Sequence, residues 1–133
     1  MEDRTRSWTV AKTVLAVLGV AGLVLVVVLY WRSEISPVTR AVDRYVDALA
    51  ADDIDAAYGQ LCAENRNRYS RDDFAERVHA RKRIRSHEIT GFELTDGSGT
   101  VDVKFRYVDG SSDVRTLYVT DESGQYQVCG GQY

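Results

Sequence analysis

Val101-Asp102-Val103-Lys104-Phe105-Arg106-Tyr107 decides the fold of this chain. Every second residue is apolar or aromatic, and each residue between carries a charge. That period of two belongs to a strand with one face in a core and the other in water. Downstream, Asp109-Gly110 turns the chain into a strand from Asp113 to Thr120, and Asp121 to Gly124 turns it into a last strand, Gln125 to Cys129. Upstream, Asp96-Gly97-Ser98-Gly99 reads as a turn out of a strand from Ile84 to Leu94. The alternation of that strand slips around Gly91, which predicts a bulge. Four strands joined by tight turns predict an antiparallel meander.

Before Ile84 the period is 3.6. Ser36 reads as an N-cap with Pro37 at the first helical position, opening a helix to about Ala51. Val38, Ala41, Val42, Tyr45 and Leu49 form its apolar stripe. Asp52-Asp53 breaks it and caps a second helix from Ile54 to about Ala63. The arginine-rich stretch Glu64 to Arg68 carries no apolar period and reads as a connection. Ser70 with Asp73 resembles a capping box for a third helix to about Lys82, with Phe74 and Val78 inward. Three helices followed by a four-stranded antiparallel sheet make an α+β domain.

A different signal fills the start of the chain. Thr13 to Trp31 holds no charged residue in nineteen positions, and twelve of them are Val or Leu. As a helix it is about 28 Å long, close to the roughly 30 Å hydrocarbon core of a bilayer. It outruns the apolar core of a signal peptide and closes on Leu29-Tyr30-Trp31-Arg32, which is no small-x-small cleavage site. Trp8, Tyr30 and Trp31 place aromatic rings at both ends. The expected organisation is a cytoplasmic tail (1–12), a transmembrane helix (13–31), a stalk (32–36) and an extracytoplasmic domain (37–133). Arg4, Arg6 and Lys12 on the short tail give the positive-inside bias. Gly19 and Gly22 form no GxxxG.

Residues 32–133 hold 14 Arg and Lys against 18 Asp and Glu, a net charge of −4. A mildly acidic domain is a poor match to nucleic acid, which selects a clustered positive surplus. Arginine outnumbers lysine fourteen to three across the chain, a bias of high-GC genomes. The two cysteines, Cys62 and Cys129, both follow the apolar run, and outside the membrane a pair is expected to be bonded. The alternative is two separate buried thiols. A zinc site would need His79 and His87, and the spacing fits no zinc pattern. No metal or cofactor is expected.

Several local phrases resemble NTF2-like domains: Tyr45-x-x-Ala48-Leu49, then Asp52 and Asp53, then Ala56-Ala57-Tyr58-x-x-Leu61-Cys62. Tyr69-Ser70-x-x-x-Phe74 and the ending Gly124-x-Tyr126-x-Val128-Cys129-Gly130 fit the third helix and last strand of that family. The chain is similar in particular to small actinobacterial membrane-anchored proteins of the DUF4878, lumazine-binding-like group. The resemblance implies a curved sheet wrapped around the helices as a cone, often dimeric through the sheet's outer face. One conflict follows from strict alternation. If Tyr126 and Val128 face the helices, Cys129 points away from Cys62, so either the last strand is bulged or its aromatic face is the outer one.

Within that resemblance Tyr45, Tyr58, Tyr69 and Phe74 are the candidate pocket, against the alternative that the tyrosines are amphipathic core. NTF2-like cones can be isomerases or dehydratases with an acid–base pair inside the cone. Here that pair would join a tyrosine to Asp102 or Glu88, although alternation turns Asp102 away from the cavity. His79 and His87 read as surface histidines. The run Arg77, Arg81, Lys82, Arg83 and Arg85 reads as a solvated helix end or as a contact with lipid headgroups or an acidic partner. The leading expectation is a non-catalytic domain, tethered by its single span, that binds an envelope protein or a small hydrophobic ligand. The alternatives are a cone enzyme on a lipidic substrate and a VirB8-like scaffold subunit of a secretion or transfer apparatus.

Overall fold

A computed structural model describes the backbone of residues 3–130 and the side chains of residues 16–29 and 37–130. The chain divides into two compact units, Met1–Ser36 and Pro37–Tyr133.

In the first unit the backbone belongs to helix α1, Asp3–Ala50. Its described side chains are apolar on every face, and Val17, Leu18, Leu23, Val26 and Leu29 are each more than half exposed. Among the described residues no helix is long and apolar enough to cross a membrane. The ends of the expected span (13–15 and 30–31), the flanking Trp8 and the basic tail lie outside the described side chains. The expected new helix start at Ser36 is corrected, because the backbone is helical across 32–36 and Pro37 lies inside α1. No glycine interrupts that stretch, and α1 continues through Pro37 despite the lost ladder hydrogen bond and the crowding that an internal proline brings.

The second unit is α+β. Its helices are the last part of α1, α2 (Ile54–Gly59), α3 (Ala63–Arg68) and α4 (Arg71–His79); its strands are β1 (Ile84–Thr95), β2 (Ser98–Tyr107), β3 (Ser112–Glu122) and β4 (Gln125–Gly130). The sheet is an antiparallel meander in the order β1-β2-β3-β4. Asp53 caps α2 by accepting from the Ala56 amide at 3.0 Å. Ser70 and Asp73 close a reciprocal capping box on α4. Two expectations need correction here. The connection Glu64–Arg68 is helical, and α2 and α4 stop several residues earlier than their patterns suggest. No residue of α3 is buried, so it has no apolar stripe for periodicity to detect.

The hairpins are tight. Asp96 and Gly97, with φ of 49° and 79°, link Thr95 to Ser98, and Ser123 and Gly124, with φ of 58° and 83°, link Glu122 to Gln125. Positive φ at both central residues matches the right-handed twist of the flanking strands. Val101, Val103, Phe105 and Tyr107 point inward with Leu117, Val119 and Val128, and all are at most 5% exposed. They pack against Val38, Val42, Tyr45, Val46 and Leu49 of α1 and Phe74 and Val78 of α4. Side chains therefore fill the space between sheet and helices.

Two register shifts carry the geometry that matters. Ile89 pairs with Val103 and Gly91 with Asp102, so Thr90 is an extra residue and the expected bulge is present. Val119 pairs with Val128 and Tyr118 with Gly130, which makes Cys129 the extra residue of β4. This second bulge resolves the facing conflict: Val128 stays in the core while Cys129 turns to Cys62. The two are bonded, with Cα atoms 5.0 Å apart. The Cys62 amide donates to the Val128 carbonyl and the Val128 amide to the Gln60 carbonyl, both at 2.9 Å, so the segment before α3 is tied to β4.

Candidate functional site

Between α3, α4 and the end of β4 lies a cleft of about 320 Å³. Its floor is apolar, from Tyr45, Leu61, Phe74 and Val78, all buried. The disulfide and Gly130 form one wall. Its rim is cationic: Arg68 from α3, Arg77 from α4 and Arg81 just beyond it. Arg77 lies in the last turn of α4, and Arg81 follows just past the Ala80 C-cap, where its amide donates to the Val78 carbonyl.

Each rim cation has a defined setting. Arg68 Nη2 bonds Glu64 Oε1 at 3.0 Å, one turn away on α3. The Arg77 guanidinium lies 4.3 Å from the centre of the Tyr69 ring, a cation–π contact. Arg81 donates its backbone amide to Val78, and no described acidic side chain lies within ion-pair distance of its guanidinium. Asn65 adds a neutral polar group. With one carboxylate against three guanidinium groups, the cleft carries a local positive surplus inside an acidic domain.

Of the four candidate pocket residues, the structure brings Tyr45, Tyr69 and Phe74 into this cleft. Tyr58 lies behind its wall, 5.8 Å ring to ring from Phe74, with its hydroxyl donating to the carbonyls of Tyr69 (2.8 Å) and Arg66 (3.1 Å). The basic run divides. Arg77 and Arg81 reach the cleft, Arg81 also borders a second one together with Lys82, and Arg83 and Arg85 line neither. Arg68, Glu64 and Asn65 escaped the sequence reading. Their signal was the Glu64–Arg68 spacing of four, legible only once α3 is known to be a helix.

The second cleft, about 500 Å³, lies between the end of α4 and the β2–β3 turn. Lys82 Nζ bonds Asp109 Oδ2 at 3.0 Å and Ser111 Oγ at 2.8 Å. The Tyr107 hydroxyl donates to Asp113 Oδ1 at 2.7 Å, and Arg115 Nε donates to Asp113 Oδ2 at 3.0 Å. Partial burial would raise the Asp113 carboxyl, but the hydrogen bonds from Tyr107 and Arg115 outweigh it and hold it below the ordinary range. Hydrogen bonds from Ser111, reinforced by Lys82, bring Asp109 down to about 2. Both acids are thus ionised and partnered at neutral pH.

The acid–base candidates lie elsewhere. Asp102 is on the sheet's outer face, accepting from the Thr116 hydroxyl, and Glu88 is beside it, 3.3 Å from Arg106. Neither meets Tyr45, Tyr58 or Tyr69. His79 Nε2 lies 2.9 Å from Asp52, and the half-buried His87 bridges β1 to α1 through Asp43 at 2.8 Å. Among the described residues, no group of three or more His, Cys, Asp or Glu could hold a metal ion.

No family model matches the chain, and no curated protein matches it in sequence. Two solved structures share its fold. One is a protein described as an NTF2-like transpeptidase from Campylobacter jejuni, 8% identical, with a TM-score of 0.53 over 67% of this chain and 94% of that one. The other is a SEC-C motif containing protein from Rhodopseudomonas palustris, 18% identical, with a TM-score of 0.52 over 65% of this chain and 70% of that one. At these identities the likeness is one of fold, and the fold is NTF2-like.

Proposed function

We propose that, on this NTF2-like fold, the chain is a non-catalytic, membrane-tethered extracytoplasmic domain. Its aromatic–arginine cleft binds a small hydrophobic ligand or a protein partner at the cell envelope. The carrying observation is the convergence of Tyr45, Tyr69 and Phe74 with Arg77 and Arg81 on one concave surface. Ligand sites are typically apolar hollows with a few convergent polar groups.

Other features support the rest of the reading. The Cys62–Cys129 bond suits an oxidising compartment. A helix apolar on all sides, as residues 16–29 are, suits hydrocarbon surroundings. The chain is then a single-pass cell-membrane protein with residues 1–12 in the cytoplasm. That reading agrees with the resemblance of its sequence to the actinobacterial DUF4878, lumazine-binding-like proteins. The separation of Asp102 and Glu88 from the cleft tyrosines supports a binding role over catalysis. Exposed Val114 and Tyr118 on the sheet's outer face support a homodimer through that face.

Protease added to spheroplasts tests the placement. Cleavage of residues 37–133 from outside, with the tag on residue 1 protected, is expected. Protection of the domain would overturn the orientation, and release of the chain by carbonate wash would overturn the tether.

A further inference from the structure

The aromatic–arginine cleft contains more positive charge than a purely hydrophobic ligand needs. Its surroundings make that surplus specific, because the domain as a whole is acidic and several exposed cations elsewhere are paired with carboxylates: Arg71 with Asp55, Lys82 with Asp109, Arg106 with Glu88. Among the described lining residues Glu64 is the one carboxylate against three guanidinium groups, and it bonds Arg68; Asp73, outside the cleft, attracts Arg77 from one turn back on α4. Arg77 is held by the Tyr69 ring, which restricts its side chain and leaves the edges of its guanidinium for an acceptor. Arg81 follows just beyond the end of α4 and lines the same cleft. Two guanidinium forks on one cleft can hold the oxygens of one carboxylate or phosphate, which arginine matches in plane and in pairs.

Size narrows the class. At about 320 Å³ the cleft sits at the low end of small-molecule sites, roughly 300–1,000 Å³. It has room for one ring system or one short chain over Leu61, Phe74 and Val78, and not for the two acyl chains of a membrane lipid.

We infer that the cleft binds a small amphiphilic anion, an aromatic or single-chain carboxylate or phosphate monoester. Its apolar body lies on Leu61, Phe74 and Val78, and its head is held by Arg77 and Arg81. This inference rests on the binding role proposed above and adds the charge and size of the ligand. Charge-assisted hydrogen bonds are worth about 1.5–3 kcal/mol, so losing one guanidinium weakens an anion by about 10-fold to 150-fold.

The test is calorimetric titration of the full chain in phosphatidylcholine nanodiscs, with empty discs subtracted. 1-Naphthoate is the probe, and 1-naphthalenemethanol is its uncharged counterpart. We expect naphthoate to bind at least 10-fold more tightly than the alcohol. Arg81→Gln should remove that preference and leave the alcohol's affinity within about 2-fold. Glu64→Gln, which removes the one carboxylate among the described lining residues, should tighten naphthoate alone. Circular dichroism and an intact disulfide check that each variant is folded. If both probes bind equally and Arg81→Gln changes neither, the anion inference fails while ligand binding stands. If neither binds up to millimolar concentration, the inference and the ligand-binding role fail together. A naphthoate signal that persists in Arg81→Gln and Arg77→Gln would assign the binding to another place and also overturn the inference. Nanodiscs containing phosphatidylglycerol separate the two sources of such a head group: competition by that lipid would overturn the reading of a small dispersed ligand.

Discussion

The two clefts at the end of α4 are built from the same kinds of residue and differ in how their charges are resolved. The larger one is lined by Lys82, Tyr107, Asp113 and Arg115, each with a hydrogen-bond or ion-pair partner at 3.0 Å or less (Lys82 through Asp109 of the adjoining turn), and Arg81 borders both clefts. The smaller one sets Arg68, Arg77 and Arg81 over an aromatic floor with a single carboxylate. Volume alone would select the first as the binding site. Charge accounting selects the second, because a cavity whose donors and acceptors satisfy one another must break internal bonds before it admits a ligand. The difference traces to sequence position. The β2–β3 turn supplies acids opposite Lys82, whereas α3 and α4 supply arginines to a wall otherwise made by the disulfide.

That wall is where the comparison breaks most readily. Cys62 and Cys129 close a loop with a sequence separation of 67, and the cross-link stabilises the fold by about 4 kcal/mol in the chain-entropy model. The Cys62→Ser, Cys129→Ser double variant is expected to lose about that much in urea unfolding. Backbone amide exchange should rise first at α3 and β4 and least at the β2–β3 turn, so the smaller cleft loosens before the larger. Equal loss of protection at both would show that the disulfide does not serve the cleft specifically.

Next in size is the support behind the aromatic floor. Tyr58 ties α2 to the carbonyls of Arg66 and Tyr69 on either side of the end of α3. Tyr58→Phe leaves those acceptors without the hydroxyl and is expected to cost about 2 kcal/mol, within the range for an unmet acceptor. The corresponding change in the larger cleft, Tyr107→Phe, removes the bond to the partly exposed Asp113 and should cost about 1 kcal/mol. Thermal unfolding of the two variants side by side checks the order. If Tyr107→Phe proves the more damaging, the larger cleft carries structural weight that the contrast assigns to the smaller.

How far these regions were legible in the sequence follows from what periodicity can see. The meander was readable because Val101 to Tyr107 alternates cleanly and Asp-Gly or Ser-Gly steps mark its turns. The Thr90 bulge was readable too, since Gly91 breaks the alternation. The Cys129 bulge was not: nothing in Gln125–Gly130 departs from a strand, and the extra residue exists only relative to the register of β3. Helix α3 was hidden for a related reason. Ala-Glu-Asn-Arg-Asn-Arg buries nothing, so its helicity rests on the Cys62 and Ser70 boundaries imposed by tertiary structure. The aromatic part of the cleft was therefore in reach of the sequence, and one of its three rim cations, Arg68, was not. Arg77 and Arg81 were named as part of a run of five, but only the end of α4 decides which cations of that run point toward Tyr69.

The smallest expected effect lies in the larger cleft and sharpens the contrast through pH. Asp109 is held at about 2 against an ordinary value of 3.8, by the Ser111 hydroxyl and amide and by Lys82. A carboxyl depressed in the folded state contributes stability that is fully present above its unfolded value and is lost as pH falls through its folded one. The window is therefore about pH 4 down to pH 2, and the contribution is intact at neutral pH. Asp109→Asn removes the charge and keeps an oxygen for Ser111, so it should unfold slightly earlier than wild type in urea at pH 7. At pH 2 the two midpoints should draw together, because the wild-type carboxyl is by then about half protonated in the folded state and almost wholly so in the unfolded one. The group is exposed and its ion pair is screened, so the pH 7 difference should also shrink in high salt. A gap that is the same at pH 7 and pH 2 would mean that Asp109 works through its turn geometry and not its charge. The larger cleft would then no longer be the electrostatically self-satisfied counterpart of the smaller.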